Sequence, residues 1–383
     1  MIREFWSMWI LLTLAGCGGK IASGTSENPD VILASTSVQP AIVTAPLSTP
    51  SPVECNGTKI GTYAWSQDYW RFNNDSTLLE FLNSETGREW ACGDLSINIA
   101  DYSNPDQIHN SDALLIFIQQ YRLQVRNMET VVWLTYGDVV EKSAQKMLQF
   151  TQTFFNWTAS ISTEVAASMG TIGISFDVEH VDPEGTRQAL QLAQRLRAQT
   201  NFPEGTILIQ HTIEGDPNVV GTDYVMKYAD SALAMVYRNY MHDPTGKYQD
   251  DSNILNRLLW MLSDQCVNCL DDTYAIQNYR AKITVMVEAS CRMGAGCGKI
   301  SMCAFDAGSE GAFYTKNILI QMISGLMGSG KVSQSQYERL FSVSTPFTTH
   351  NWEWYRCFSP FSASFQYASC SSYNQYAASC RSE

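Results

Sequence analysis

Residues 171–180 read TIGISFDVEH, and the alternation within them decides the fold. Ile172, Ile174, Phe176 and Val178 fall on one side of an extended segment; Gly173, Ser175, Asp177 and Glu179 fall on the other. A strand with a bulky apolar face and a small, acidic opposite face packs its apolar side under helices. The small face then turns toward the interior of a closed sheet, with the acids at the rim. Two explanations fit acids placed there: an ion-paired strand end, with Asp177 answering Arg238, or an active site at the mouth of a barrel.

Working outward, short β-type runs alternate with helical ones. The strand candidates are KIGTYAW (59–65), LSINIA (95–100), TVVWLTYG (130–137), the opening segment, TILIQHT (206–212), ALAMVYR (232–238), KITVMVEA (282–289) and one near PFTTHNW (346–352). KISMCAF (299–305) competes for the last place. Helix candidates are STLLEFLNSE, SDALLIFIQQYRLQ, SAQKMLQFTQTFFNW, GTRQALQLAQRLRAQ, SNILNRLLWMLSDQ and TKNILIQMISGLMG, several with apolar residues three and four apart. Strands alternating with helices in this number predict an α/β fold, a (β/α)8 TIM barrel. No internal sequence repeat is evident.

The chain has 383 residues and a formal net charge of −13, which excludes a basic nucleic-acid footprint and favours neutral or cationic ligands. Residues 1–16 read as an export signal: Arg3 precedes an apolar run too short to span a bilayer as a mature helix. Leu14-Ala15-Gly16-Cys17 resembles a bacterial lipobox, with Cys17 as the lipidated residue, the alternative being an ordinary secretory signal. Residues 17–54, rich in Ser, Thr and Pro, then form a tether, 55–357 the barrel, and 358–383 a Ser/Tyr/Cys extension. The expected location is the cell surface or periplasm through a lipid anchor, or secretion. Of eleven cysteines, lipidation of Cys17 leaves an even set for disulfides in an oxidising compartment. Cys291, Cys297 and Cys303 would brace the long loop after the seventh strand. Cys266-x-x-Cys269 lacks a second metal-binding pair at finger spacing.

Active sites of such barrels gather at the C-terminal strand ends. The polar and aromatic residues expected there are Trp65, Tyr136, Asp177, Glu179, His211, Tyr237, Arg238, Glu288, His350 and Trp352. Alternation on the seventh strand sets Ile283, Val285 and Val287 outward and Thr284, Met286 and Glu288 inward, so two strands direct a Glu to the same mouth. Carboxylates beside aromatic rings suit a sugar-binding cleft. The histidines read more simply as core or supporting residues than as metal ligands, and no metal or cofactor is expected. No GxSxG elbow, phosphate loop or GxGxxG unit is present; GLMGSGK (325–331) follows a helix candidate rather than a strand.

Residues 173–180 resemble the strand-four signature of chitinase-like glycoside hydrolases, Asp-x-x-Asp-x-Asp-x-Glu. Asp177 and Glu179 match its last two acids, while Ile172 and Ser175 stand at the first two. Met235-Val-Tyr237 resembles the same family's Met-x-Tyr on strand six. The order TYAW, FDVEH, AMVYR, VMVEA resembles glycosidase-like barrels over roughly 59–356. The resemblance implies a carbohydrate substrate and hydrolysis by acids at the mouth. Either Glu179 acts as general acid with Glu288 as nucleophile or base, as in retaining barrel glycosidases, or Glu179 is the acid, Asp177 orients an acetamido group and Tyr237 assists. Tyr237, Trp65, Tyr136, His211, Arg238, His350 and Trp352 would line the sugar site. The alternative is a non-catalytic surface lipoprotein that uses the barrel to bind glycans or partners.

Overall fold

Strand β1 (Ile60–Ala64) runs parallel to β2 (Leu95–Asp101), which begins a ring continuing through β3 (Val132–Gly137), β4 (Ile172–Asp177), β5 (Ile207–Ile213), β6 (Ser231–Met235), β7 (Lys282–Glu288) and β8 (Phe347–His350). The last strand pairs with the first, from Ile60↔Phe347 to Tyr63↔His350, and closes the barrel. This computed structural model describes residues 60–64, 77–83, 92–125, 130–138, 140–178, 181–213, 222–235, 280–288 and 347–350, with positions 324, 327–328, 330, 333–335 and 338. All belong to the unit Thr49–Glu383. All eight expected strands are present, and the eighth place goes to the FTTH segment.

The helices described are α1 (Thr77–Asn83), α2 (Ser111–Val125), α3 (Ala144–Ser160), α4 (Thr163–Met169), α5 (Pro183–Leu196) and α6 (Thr222–Tyr228). Four match sequence expectations; α4 and α6 do not. The candidates at 252–265 and, for the most part, 315–328 lie outside the described residues.

Helix α3 shows how the layers form. Met147, Phe150, Phe154 and Thr158 recur at three- and four-residue spacing and are all buried. Phe150 stacks on Tyr136 of β3 with ring centroids 5.0 Å apart and meets Phe176 of β4 edge-on at 6.4 Å. Ser143 caps the helix by accepting from the Lys146 N–H at 3.3 Å. Asp182 caps α5 through the Gly185 N–H at 2.9 Å, with Pro183 opening the first turn. Glycine is required at 185, because a Cβ there would collide with Ala144 of α3.

The same rule holds inside the barrel. A Cβ at Gly173 would collide with the Trp133 indole, which therefore lies on the lumen side of β3. The indole N–H donates to Asp94 Oδ2 at 3.0 Å, and the Val131 N–H donates to Asp94 Oδ1 at 3.0 Å. These contacts gather at the N-terminal strand ends, the end of a barrel that serves stability rather than chemistry. Buried Arg122 works at the same end: its guanidinium donates to the carbonyls of Met169 at 2.9 Å and Thr171 at 2.7 Å, and to Thr130 Oγ1 at 3.1 Å. Cys92, buried just before β2, is a disulfide cysteine; the other ten cysteines lie outside the described residues.

Candidate active site at the C-terminal mouth

Asp177 ends β4, and the two faces of that strand divide as the alternation predicts. Ile172, Ile174 and Phe176 join the core under the helices. On the other face, the Ser175 hydroxyl donates to Gln210 Oε1 at 2.9 Å, and the Gln210 amide donates to Ser231 Oγ at 3.0 Å. A neutral polar chain therefore crosses β4, β5 and β6 inside the lumen. Asn98 and Thr135 hold the matching register positions on β2 and β3, since Asn98 pairs with Thr135 and Thr135 with Ser175. Among the described residues, the buried Thr135 hydroxyl has no hydrogen-bond partner.

One pleat further toward the mouth, the Tyr63 hydroxyl of β1 donates to Asp177 Oδ2 at 2.6 Å, joining residues 114 apart in the chain. Both side chains are buried, Asp177 being 7% exposed. The Tyr63 ring belongs to a small lumen cluster with Leu233, Met235 and Met286. A short bond from a phenol to a buried carboxylate favours the ionised acid against the desolvation that opposes it. Sequence reasoning misses Tyr63, although KIGTYAW places Gly61, Tyr63 and Trp65 on one face. In the sequence the tryptophan is the more conspicuous residue of the two.

Two further acids at this mouth also escape the sequence. A register shift between Asn98 and Ala100 on β2 reverses the alternation, so that Asp101 pairs with Gly137, which in turn pairs with Asp177. Bulges re-aim strand ends in this way. Asp101 accepts from the Ser103 N–H at 2.9 Å and lies 3.8 Å from His109 Nε2. Asp138, next after β3, is a loop organiser. Its carboxylate accepts the backbone N–H groups of Val140, Glu141 and Ser143 at 3.2, 2.8 and 3.0 Å. Burial pushes its pKa up, but the backbone donors of the 140–143 turn together outweigh it and hold the carboxyl below the usual range.

Two expected rim residues are corrected. Tyr136 does not face the mouth: it is fully buried on the helix side of β3, stacked on Phe150, with its hydroxyl 3.5 Å from Asp138 Oδ2. His211 is likewise on the outer face of β5, with Ile209 and Ile213. Its ring lies 6.0 Å from that of Phe176, and Nδ1 is 2.5 Å from the Thr212 carbonyl, which fixes Nδ1 as the protonated nitrogen. Burial lowers its pKa to about 4, against a smaller upward pull from the Thr212 carbonyl, so it is neutral near pH 7. Parity explains both errors. In TVVWLTYG and TILIQHT the lumen residues are Trp133, Thr135, Leu208 and Gln210, not the most conspicuous side chains.

Glu288 ends β7 and enters only by backbone position: it pairs with His350 of β8, which pairs with Tyr63 of β1. The outward placing of Ile283 and Val285 holds, and Met286 faces the lumen. Trp65, Glu179, Tyr237, Arg238, Trp352 and Cys17 lie outside the described residues. Among the described residues no group of three His, Cys, Asp or Glu side chains is placed to hold a metal ion.

No protein-family model matches the chain, and no curated protein matches it in sequence. Among solved structures, the chain is similar to a GH18 chitinase from Pseudoalteromonas aurantia at 13% identity and a TM-score of 0.38, over 76% of this chain and 93% of that one. It is similar to the xylanase and α-amylase inhibitor protein XAIP-II from Scadoxus multiflorus at 14% identity and a TM-score of 0.38, over 61% and 80%. The Bacillus cereus spore cortex-lytic enzyme SleL matches at 13% identity and a TM-score of 0.36, over 61% and 52%. Likenesses this distant transfer neither residue roles nor activity to this chain.

Proposed function

We propose that the protein is a carbohydrate-active barrel that hydrolyses a glycosidic bond at its C-terminal mouth. The observation that carries this reading is the buried Asp177, held at the lumen rim by the Tyr63 hydroxyl at 2.6 Å. An ionised carboxylate there would have a use, since cleavage of a glycosidic bond develops positive charge on the sugar ring. Glu179, two residues further along the same strand direction, is assigned as the general acid. Its proton passes to the leaving oxygen as the C–O bond breaks. Water then supplies hydroxide to the anomeric carbon and returns a proton to the Glu179 carboxylate. Asp177 stabilises the charge and orients the substrate, and Glu288, which ends β7, is assigned as the nucleophile or base.

The test is a screen of the full chain against a panel of glycans, followed by Glu179→Gln and Asp177→Asn on any substrate found. Glu179→Gln should lower turnover by about 10²–10⁴-fold with the circular dichroism spectrum unchanged. Unaltered turnover in Glu179→Gln removes the acid assignment. Glycan binding by the wild type without any hydrolysis replaces the enzyme reading with that of a glycan-binding barrel.

A further inference from the structure

Ser175 stands where a second acid would precede Asp177 on the lumen face of β4, and its hydroxyl is turned sideways to Gln210 at 2.9 Å. One donor that reaches Asp177 comes from another strand. Tyr63 spans the lumen from β1, is 1% exposed, and is wedged among Leu233, Met235 and Met286. Building on the hydrolytic reading above, we propose that Tyr63 is a positioning residue of this site: its phenol, a neutral donor, holds Asp177 as an oriented, ionised carboxylate.

The physical difference is charge. Two buried carboxyls in contact cannot both ionise, so they share a proton and titrate as a pair. A phenol remains protonated to about pH 10, donates without adding negative charge, and so keeps its partner ionised across the working range. A tyrosine also has few torsions to fix, and the apolar cluster around this one fixes them. The bond from Tyr63 therefore favours the ionised form of Asp177.

The experiment is an infrared titration of protonated carboxyl groups in the full chain. Subtracting the Asp177→Asn spectrum isolates Asp177; the same subtraction is made in a Tyr63→Phe background. Tyr63→Phe keeps the ring in the lumen and removes only the donor. The Asp177 midpoint should rise by about one to two pH units, because loss of a charge-assisted hydrogen bond favours the neutral acid. On any hydrolysed glycan, the acid limb of kcat/KM should move up by the same amount, with KM little changed. A single fluorine ortho to the hydroxyl of Tyr63, introduced at that position alone, strengthens the donor and should move the midpoint down. Identical Asp177 midpoints in the wild type, in Tyr63→Phe and with the fluorinated ring overturn the proposal. The titration needs no substrate, so absence of hydrolysis would remove the enzymatic reading while the infrared result still decides the Tyr63–Asp177 linkage.

Discussion

His211 shows how much depends on which side of a strand a residue takes. On the lumen face it would point into the barrel; on the outer face of β5 it is a buried, neutral imidazole beside Phe176. Its folded pKa of about 4 lies below the ordinary 6.5. The unfolded chain therefore takes up a proton below about pH 6.5 that the folded chain refuses. The stability this confers is complete above pH 6.5 and is lost progressively as pH falls toward about 4, amounting to at most about 3 kcal/mol. His211→Phe keeps a ring against Phe176 and removes the titration. Urea unfolding at pH 7 and pH 4.5 should show a smaller acid loss in the variant than in the wild type, by roughly 2 kcal/mol. Equal losses would contradict a buried neutral histidine.

At the scale of elements, what matters is how helices are fastened to strand ends. Arg122, near the end of α2, donates to the carbonyls of Met169 and Thr171, and so ties α2 to the turn between α4 and β4. That turn sets where β4 begins, and through the strand's rigid register where Asp177 ends. Arg122→Met preserves the stem and removes the donors. It should cost about 2–4 kcal/mol in urea unfolding, as hydrogen bonds from a buried charged group are lost. A loss below about 0.5 kcal/mol would mean the carbonyls find other donors. The bulge on β2 acts on the same scale in the opposite sense, altering the register of one strand to bring Asp101 level with Gly137.

The whole molecule is governed by closure. Strand β8 has only four residues, yet it joins β7 to β1 through pairs on both sides, including Glu288↔His350 and Tyr63↔His350. A barrel has no edges; removing one strand creates two, each a row of unpaired backbone groups. A chain ended after Ser344 should lose cooperative urea unfolding and associate through those edges, as read by the transition's steepness and by sedimentation. A cooperative transition with the full chain's denaturant dependence would show that β8 is dispensable. Because Tyr63 sits on β1 and Asp177 on β4, the candidate site also requires the ring to be formed.

Sequence alone determined the strands and their order, though not their closure. The eight strands, their alternation with helices and the inward face of β4 were legible in local patterns, since apolar periodicity follows directly from pleat and helix geometry. It also picked out Asp177, because an acid ending an apolar run is visible without a partner. What only tertiary structure decided was which residues meet. Tyr63 and Asp177 are 114 residues apart, and their 2.6 Å contact depends on barrel closure, which no local pattern encodes. Chemical type alone points Tyr136 and His211 to the rim, whereas parity sets them under the helices. Asp101 was hidden by a one-residue bulge, whose effect is to exchange the faces of every residue beyond it.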